Sequence, residues 1–95
     1  MINILKFGAP WCVPCGNLAV ELKKIDFSSM NTSLDEFNLD DDDDMIVASQ
    51  YRIRSVPTLV FIDDSGNELH RHVGSATASQ ITEIIDGLND SLNVG

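Results

Sequence analysis

The chain has only two cysteines and two histidines. A structural zinc site would need all four, and His70 and His72 lie far from Cys12 and Cys15 with none of the finger-type spacing, so no metal is expected. Basic residues are scarce: six Lys and Arg stand against fifteen Asp and Glu, a formal net charge of −9. That balance excludes nucleic-acid binding by counterion release, disfavours anionic membranes and mildly favours partners with basic surfaces. Long apolar runs are missing too, so no segment approaches the roughly 20 residues of a membrane span. The start, Met1-Ile2-Asn3-Ile4-Leu5-Lys6-Phe7, is too short and too alternating for a signal peptide. A cytoplasmic, mostly reduced protein is the resulting expectation. No linker and no internal repeat break the 95 residues, which read as one domain, 1–95, with a modest core.

What the chain does have is concentrated around its two cysteines. Trp11-Cys12-Val13-Pro14-Cys15 follows a short apolar strand and opens a helix. Thiols at this spacing alternate between dithiol and disulfide without large backbone movement. The amides and positive dipole end of the helix stabilise the thiolate of the first cysteine, the form that attacks a disulfide. A purely structural bridge is the weaker reading, because so short a loop constrains the unfolded chain little. A redox site is the leading one.

Periodicity gives the element order β-α-β-α-β-β-α. Ile2 to Phe7 reads as a strand with apolar residues on both faces, central in a sheet. A helix is expected from Val13 to Ile25, with Leu18, Leu22 and Ile25 on one face. Polar turn residues Ser28 to Ser33 precede a second strand at Leu34 to Asp40. The run Asp40 to Asp44 leads into a short helix, Met45 to Tyr51, where aspartates suit the amide-rich end. A calcium loop is the sharper alternative, but the run lacks the glycine and distal glutamate of the hand-type loop. Thr58 to Ile62 and Glu68 to Val73 form a hairpin around Asp63 to Asn67, with His70 and His72 on one solvated face and Arg71 opposite. Thr77 and Gln80 make a capping box for a last helix whose stripe is Ile81, Ile84, Ile85, Leu88 and Leu92.

The motif around Cys12, Tyr51-Arg52-Ile53-Arg54-Ser55-Val56-Pro57-Thr58, Gly66 and Gly74 follow one another in an order that resembles the thioredoxin superfamily. The resemblance covers most of the chain and implies an α/β, thioredoxin-like minimal fold: a four-stranded mixed sheet flanked by helices, lacking the family's usual first strand and helix. It implies that the Val56–Pro57 bond is cis, that Cys12 is the exposed nucleophile and that Cys15 is the buried resolving thiol. Trp11, Val13, Pro14, Val56 and Pro57 would then bind substrate, with Trp11 and Pro57 as an apolar rim. The sequence also departs from the family. Val13 replaces a glycine, Val20 stands where the helix has a kinking proline, and Gly8 stands where a second tryptophan is usual. A buried aspartate six residues before the first cysteine is replaced by Lys6, and alignment of the second strand puts Glu36 where the partner lysine belongs. An ion pair with its sides exchanged, beneath Cys15, is the expectation. Lys6 either takes the proton of the resolving thiol as a neutral amine or acts as a cation that favours the thiolate while Glu36 or water accepts the proton. The plainer alternative is a lysine that snorkels to the surface.

The implied activity is reduction of protein disulfides without a bound cofactor. Thioredoxin reductase would be the electron donor and ribonucleotide reductase a possible acceptor, and the protein would act as a monomer, its short form suiting a phage-type or other divergent member. Two alternatives stay open. A glutaredoxin-like, glutathione-dependent reductase fits the short architecture, but no Gly-Gly pair precedes the last helix: Gly74 is followed by Ser75. A non-catalytic accessory subunit would use the fold for binding alone, and would survive loss of both cysteines.

Overall fold

A computed structural model of the chain describes residues 1–93. Its elements run β1 (Ile2–Gly8), α1 (Val13–Leu22), a 3-10 turn (Phe27–Met30), β2 (Thr32–Asn38), α2 (Asp42–Gln50), β3 (Thr58–Ile62), β4 (Glu68–Val73) and α3 (Ala78–Asn93). The sheet order is β2-β1-β3-β4. β1 pairs parallel with β2, from Ile2 opposite Thr32 to Gly8 opposite Asn38, and antiparallel with β3. β3 and β4 form the hairpin. The four-stranded mixed sheet and the β-α-β-α-β-β-α order are therefore as expected, with β1 in the interior.

Side chains alternate across a strand, and this alternation divides the core in two. Ile2, Ile4, Leu59 and Phe61 face one side, where Leu18 and Leu22 of α1 and Ile81 and Ile85 of α3 cover them. Leu5, Phe7 and Val60 face the other, against Ala48 of α2 with Phe37 and Tyr51 around them. The Phe7 and Phe37 rings stack at 5.1 Å between centroids. Burying each of these large side chains contributes about 1.5–3 kcal/mol. Leu34 packs on the first cluster and Phe37 on the second, which is why β2 shows no simple two-residue alternation.

Several boundaries differ from the sequence reading. α1 stops at Leu22 rather than Ile25; the chain tightens there through Lys24 N–H to Glu21 O and Ile25 N–H to Leu22 O. Ile25 still packs on the core, so apolar spacing outlasted the helix. The polar stretch expected to be a turn overlaps a 3-10 segment that starts at Phe27, and β2 spans Thr32–Asn38 instead of Leu34 to Asp40. Pairing with β1 sets that start, and Thr32, though polar, is buried with its hydroxyl donating to Met30 O. α2 begins at Asp42, not Met45, because Asp41 accepts the amides of Asp43 and Asp44 and lets the aspartates themselves form the first turn. In α3, Leu92 is exposed rather than part of the core stripe.

The remaining turns match their residues. Thr77 Oγ1 accepts Gln80 N–H while Gln80 Oε1 accepts Thr77 N–H, the reciprocal capping box. Glu21 adds a third contact from α1, accepting Ala78 N–H at 2.9 Å, and this bond together with Lys24 holds its carboxyl below the usual range, Lys24 having the larger effect. In the hairpin, Asp63 accepts the amide of Asn67, with smaller help from the Asn67 side chain and the amide of Ser65, which holds its carboxyl below the usual range as well. Gly66 takes φ +87°, where a side chain would be strained.

Candidate active site

β1 delivers the chain to the site. It ends at Gly8, Ala9 O accepts the amide of Cys12 in a tight turn, and α1 starts one residue later. Cys12 is the N-cap of α1. Its Sγ accepts the amide N–H of Cys15 at 3.2 Å, a position usually filled by a Ser, Thr or Asp oxygen. Negative charge on that sulfur would face the free amides of the helix end, and no acidic residue competes in the first turn. Pro14 costs little there, since the first-turn amides lack helical partners anyway.

Cys12 and Cys15 are joined by a disulfide, with Cα atoms 5.2 Å apart. The two sulfurs are not equivalent. Cys15 is 5% exposed, whereas Cys12 is only partly buried. Around Cys12 the surface is apolar: Trp11 and Val13 are 67% and 76% exposed, and Pro14 is exposed beside them. The indole Nε1 of Trp11 donates to Asp40 Oδ1 at 3.1 Å, which ties this rim to the aspartate run.

The Val56–Pro57 peptide bond is cis. Phe7 pairs with Thr58, so Pro57 lies at the end of the sheet where β1 gives way to the cysteines. Pro57 O accepts Gly74 N–H, and Thr58 Oγ1 donates to Ser55 O, fixing this loop against the hairpin. One expectation needs correction. The Pro57 ring is fully buried, so the exposed rim consists of Trp11, Val13 and Pro14, with Val56 half-buried.

Lys6 and Glu36 are register partners on β1 and β2, and Lys6 Nζ lies 3.7 Å from Glu36 Oε1. The pair is not buried as a unit: the Lys6 side chain is 12% exposed and that of Glu36 65%. The lysine stem lies in the sheet face covered by α1, while the carboxylate reaches solvent at the edge strand. Lys6 is near the resolving sulfur: from the point where a Gly8 Cβ would stand, Cys15 Sγ is 3.3 Å away and Lys6 Cε 4.0 Å. A cleft of about 460 Å³ opens here, and its walls include Lys6, Gly8, Cys12, Cys15, Glu36 and Asp44.

The aspartate run is used in the fold: Asp40 holds Trp11, Asp41 caps α2, and Asp44 accepts Asn38 N–H. His70 and His72 lie on β4, the edge opposite β2, and are not brought to the site. His70 rests against Phe61 and is exposed, while His72 is half-buried with Nε2 3.1 Å from Ser75 O. Arg71 pairs with Glu68 and donates to Tyr51 O, and the carboxyl of Glu68 is lowered by that guanidinium. Sequence reasoning did not single out Asp40 or Gly8 for these contacts. The Asp40 contact leaves no sequence signal; for Gly8 the signal is a glycine ending a buried strand just before the thiols.

The sequence profile described as Thioredoxin matches residues 1–87. Thioredoxin of Bacillus subtilis is 31% identical over 85 residues, covering 90% of this chain and 80% of that protein. Thioredoxin of Mycoplasma pneumoniae is 30% identical over 82 residues, covering 86% and 78%. The X-ray structure of Fasciola hepatica thioredoxin superposes with a TM-score of 0.76 at 27% identity, over 90% of this chain and 78% of that one.

Proposed function

This chain belongs to the thioredoxin family and is a thiol–disulfide oxidoreductase; from that premise we propose that Cys12 is its attacking sulfur and Cys15 its resolving sulfur. The observation that carries the assignment is the asymmetry of the pair: Cys12 is the accessible sulfur that accepts an amide at the helix end, and Cys15 is buried behind it. In the dithiol form the Cys12 thiolate attacks one sulfur of a substrate disulfide. A Cys12–substrate disulfide forms, and the other substrate sulfur leaves as a thiolate that takes up a proton. The Cys15 thiolate then attacks Cys12 Sγ, giving the Cys12–Cys15 disulfide and releasing the second substrate thiolate. The substrate gains two electrons and the protein loses two.

Trp11, Val13 and Pro14 supply the apolar surface against which the substrate lies, and Val56 offers backbone groups to an extended substrate segment. Lys6 acts on Cys15 as a cation that favours its thiolate during resolution, with Glu36 or water receiving the proton. The chain works as one domain and as a monomer in the cytoplasm, with thioredoxin reductase as electron donor and ribonucleotide reductase among its acceptors. Among the described residues no helix is long and apolar enough to cross a membrane.

The test is reduction of a protein disulfide, coupled in parallel to thioredoxin reductase with NADPH and to glutathione with its reductase. Turnover in the first system is expected. Turnover with glutathione alone would refute the donor assignment. If Lys6→Ala leaves the rate and its pH profile unchanged, the role given to Lys6 is wrong.

A further inference from the structure

The floor and the α1 side of the cleft beside the disulfide are built from small residues. Gly8 contributes no side chain, and any Cβ there would start 3.3 Å from Cys15 Sγ. Gly16 and Ala19 face the cleft from α1, and a Cβ on Gly16 would meet nothing within 4 Å. The resulting volume, about 460 Å³, is in the range of sites that take a small ligand or one long side chain. Both cysteines border it, so whatever enters lies beside the disulfide being exchanged.

We propose that this cleft is a substrate subsite that receives an arginine side chain flanking the cysteine of a disulfide substrate. The chemistry of the walls selects the occupant. Ala9, Pro10 and Ala19 provide apolar surface for an aliphatic stem, whereas the ionic groups are two carboxylates, Glu36 and Asp44, against the single cation Lys6. Lys6 holds Glu36 only loosely, at 3.7 Å, and the Glu36 carboxylate is mostly exposed, so its second oxygen is open to a guanidinium. The net charge of −9 attracts the same partner from a distance. An acidic side chain would be repelled by both carboxylates. Because the cleft adjoins Cys12, the arginine must be an immediate sequence neighbour of the substrate cysteine. The subsite rests on the oxidoreductase reading of Cys12 and Cys15 and deepens it.

The test uses pre-reduced protein in single turnover with disulfide peptides that differ only in having Arg, Ala or Glu beside the cysteine. The half-saturating concentration is expected to be about twofold to fivefold lower for Arg than for Ala, as one partly exposed charge-assisted contact allows, with little change in the limiting rate. The Glu peptide should bind more weakly than either. Ala19→Leu fills the cleft without altering charge and should bring the Arg and Ala peptides together, and Glu36→Gln should reduce the Arg advantage. Equal behaviour of the Arg and Ala peptides overturns the proposal. So does an undiminished Arg advantage in either variant, since net charge and not the cleft would then be attracting the peptide. Failure of the wild-type protein to reduce even a small aromatic disulfide would instead overturn the redox reading beneath it.

Discussion

Replacing Gly8 by alanine adds a methyl group where the molecule has little room for it, and the effect should depend on redox state. Gly8 does not occupy the positive-φ region, so alanine meets no backbone strain. It also narrows the unfolded ensemble, a gain of about 0.4–1 kcal/mol in both redox forms. Against this, the new carbon stands 3.3 Å from Cys15 Sγ and 3.5 Å from Cys15 Cβ, so these atoms must give way slightly. Crowding of this kind costs about 1–3 kcal/mol in a packed site. In the disulfide form the sulfur is tied to Cys12 and almost fully buried; in the dithiol form it is free to turn about χ1 toward the cleft. The expected result is that Gly8→Ala destabilises the oxidised form by about 1 kcal/mol relative to the reduced form. For a two-electron couple this raises the midpoint potential by about 20 mV. Equilibration in dithiothreitol buffers reads the potential directly, and urea unfolding of the two forms must give the same difference. An unchanged or more negative potential, with the oxidised variant as stable as its parent, would refute the reasoning.

Further outcomes follow from single contacts. Cys15→Ser should accumulate a mixed disulfide between Cys12 and a protein substrate, visible on non-reducing gels, whereas Cys12→Ser should form none; the reverse pattern would exchange the two roles. Thr77→Ala removes one half of the capping box and should cost about 1 kcal/mol, lowering Tm by about 4–8 °C. Asp63→Asn should destabilise the hairpin at pH 7. Because the folded-state carboxyl is lowered, its contribution is present above the ordinary value of 3.8 and is lost as pH falls through the folded value, so the difference between variant and parent in urea unfolding should shrink toward zero below that pH.

The parts of the fold legible in sequence were those set by local chemistry. Thr58–Ile62 and Glu68–Val73 were bounded as observed, because β-branched residues and a Gly-containing turn define both ends. The Thr77 and Gln80 box was legible for the same reason. β2 was misplaced by two residues because its start is set by pairing with Ile2, and its apolar side chains serve opposite faces. The register of Lys6 with Glu36 could be anticipated, but their unequal exposure could not, since it depends on β2 being the edge of the sheet. Asp40 beneath the indole of Trp11, a contact across 29 positions of sequence, left no local trace.

That edge has a consequence for the purity of the native state. The outer side of β2 presents backbone donors and acceptors in the manner that invites another strand, and a second copy of the chain carries the same strand. Asp35 and Glu36 sit exposed in the middle of it, so two copies aligning there would bring four carboxylates into close range. The acidity of β2 thus works as a solubility device, one that weakens as the chain loses its net charge toward the isoelectric point of about 4.2.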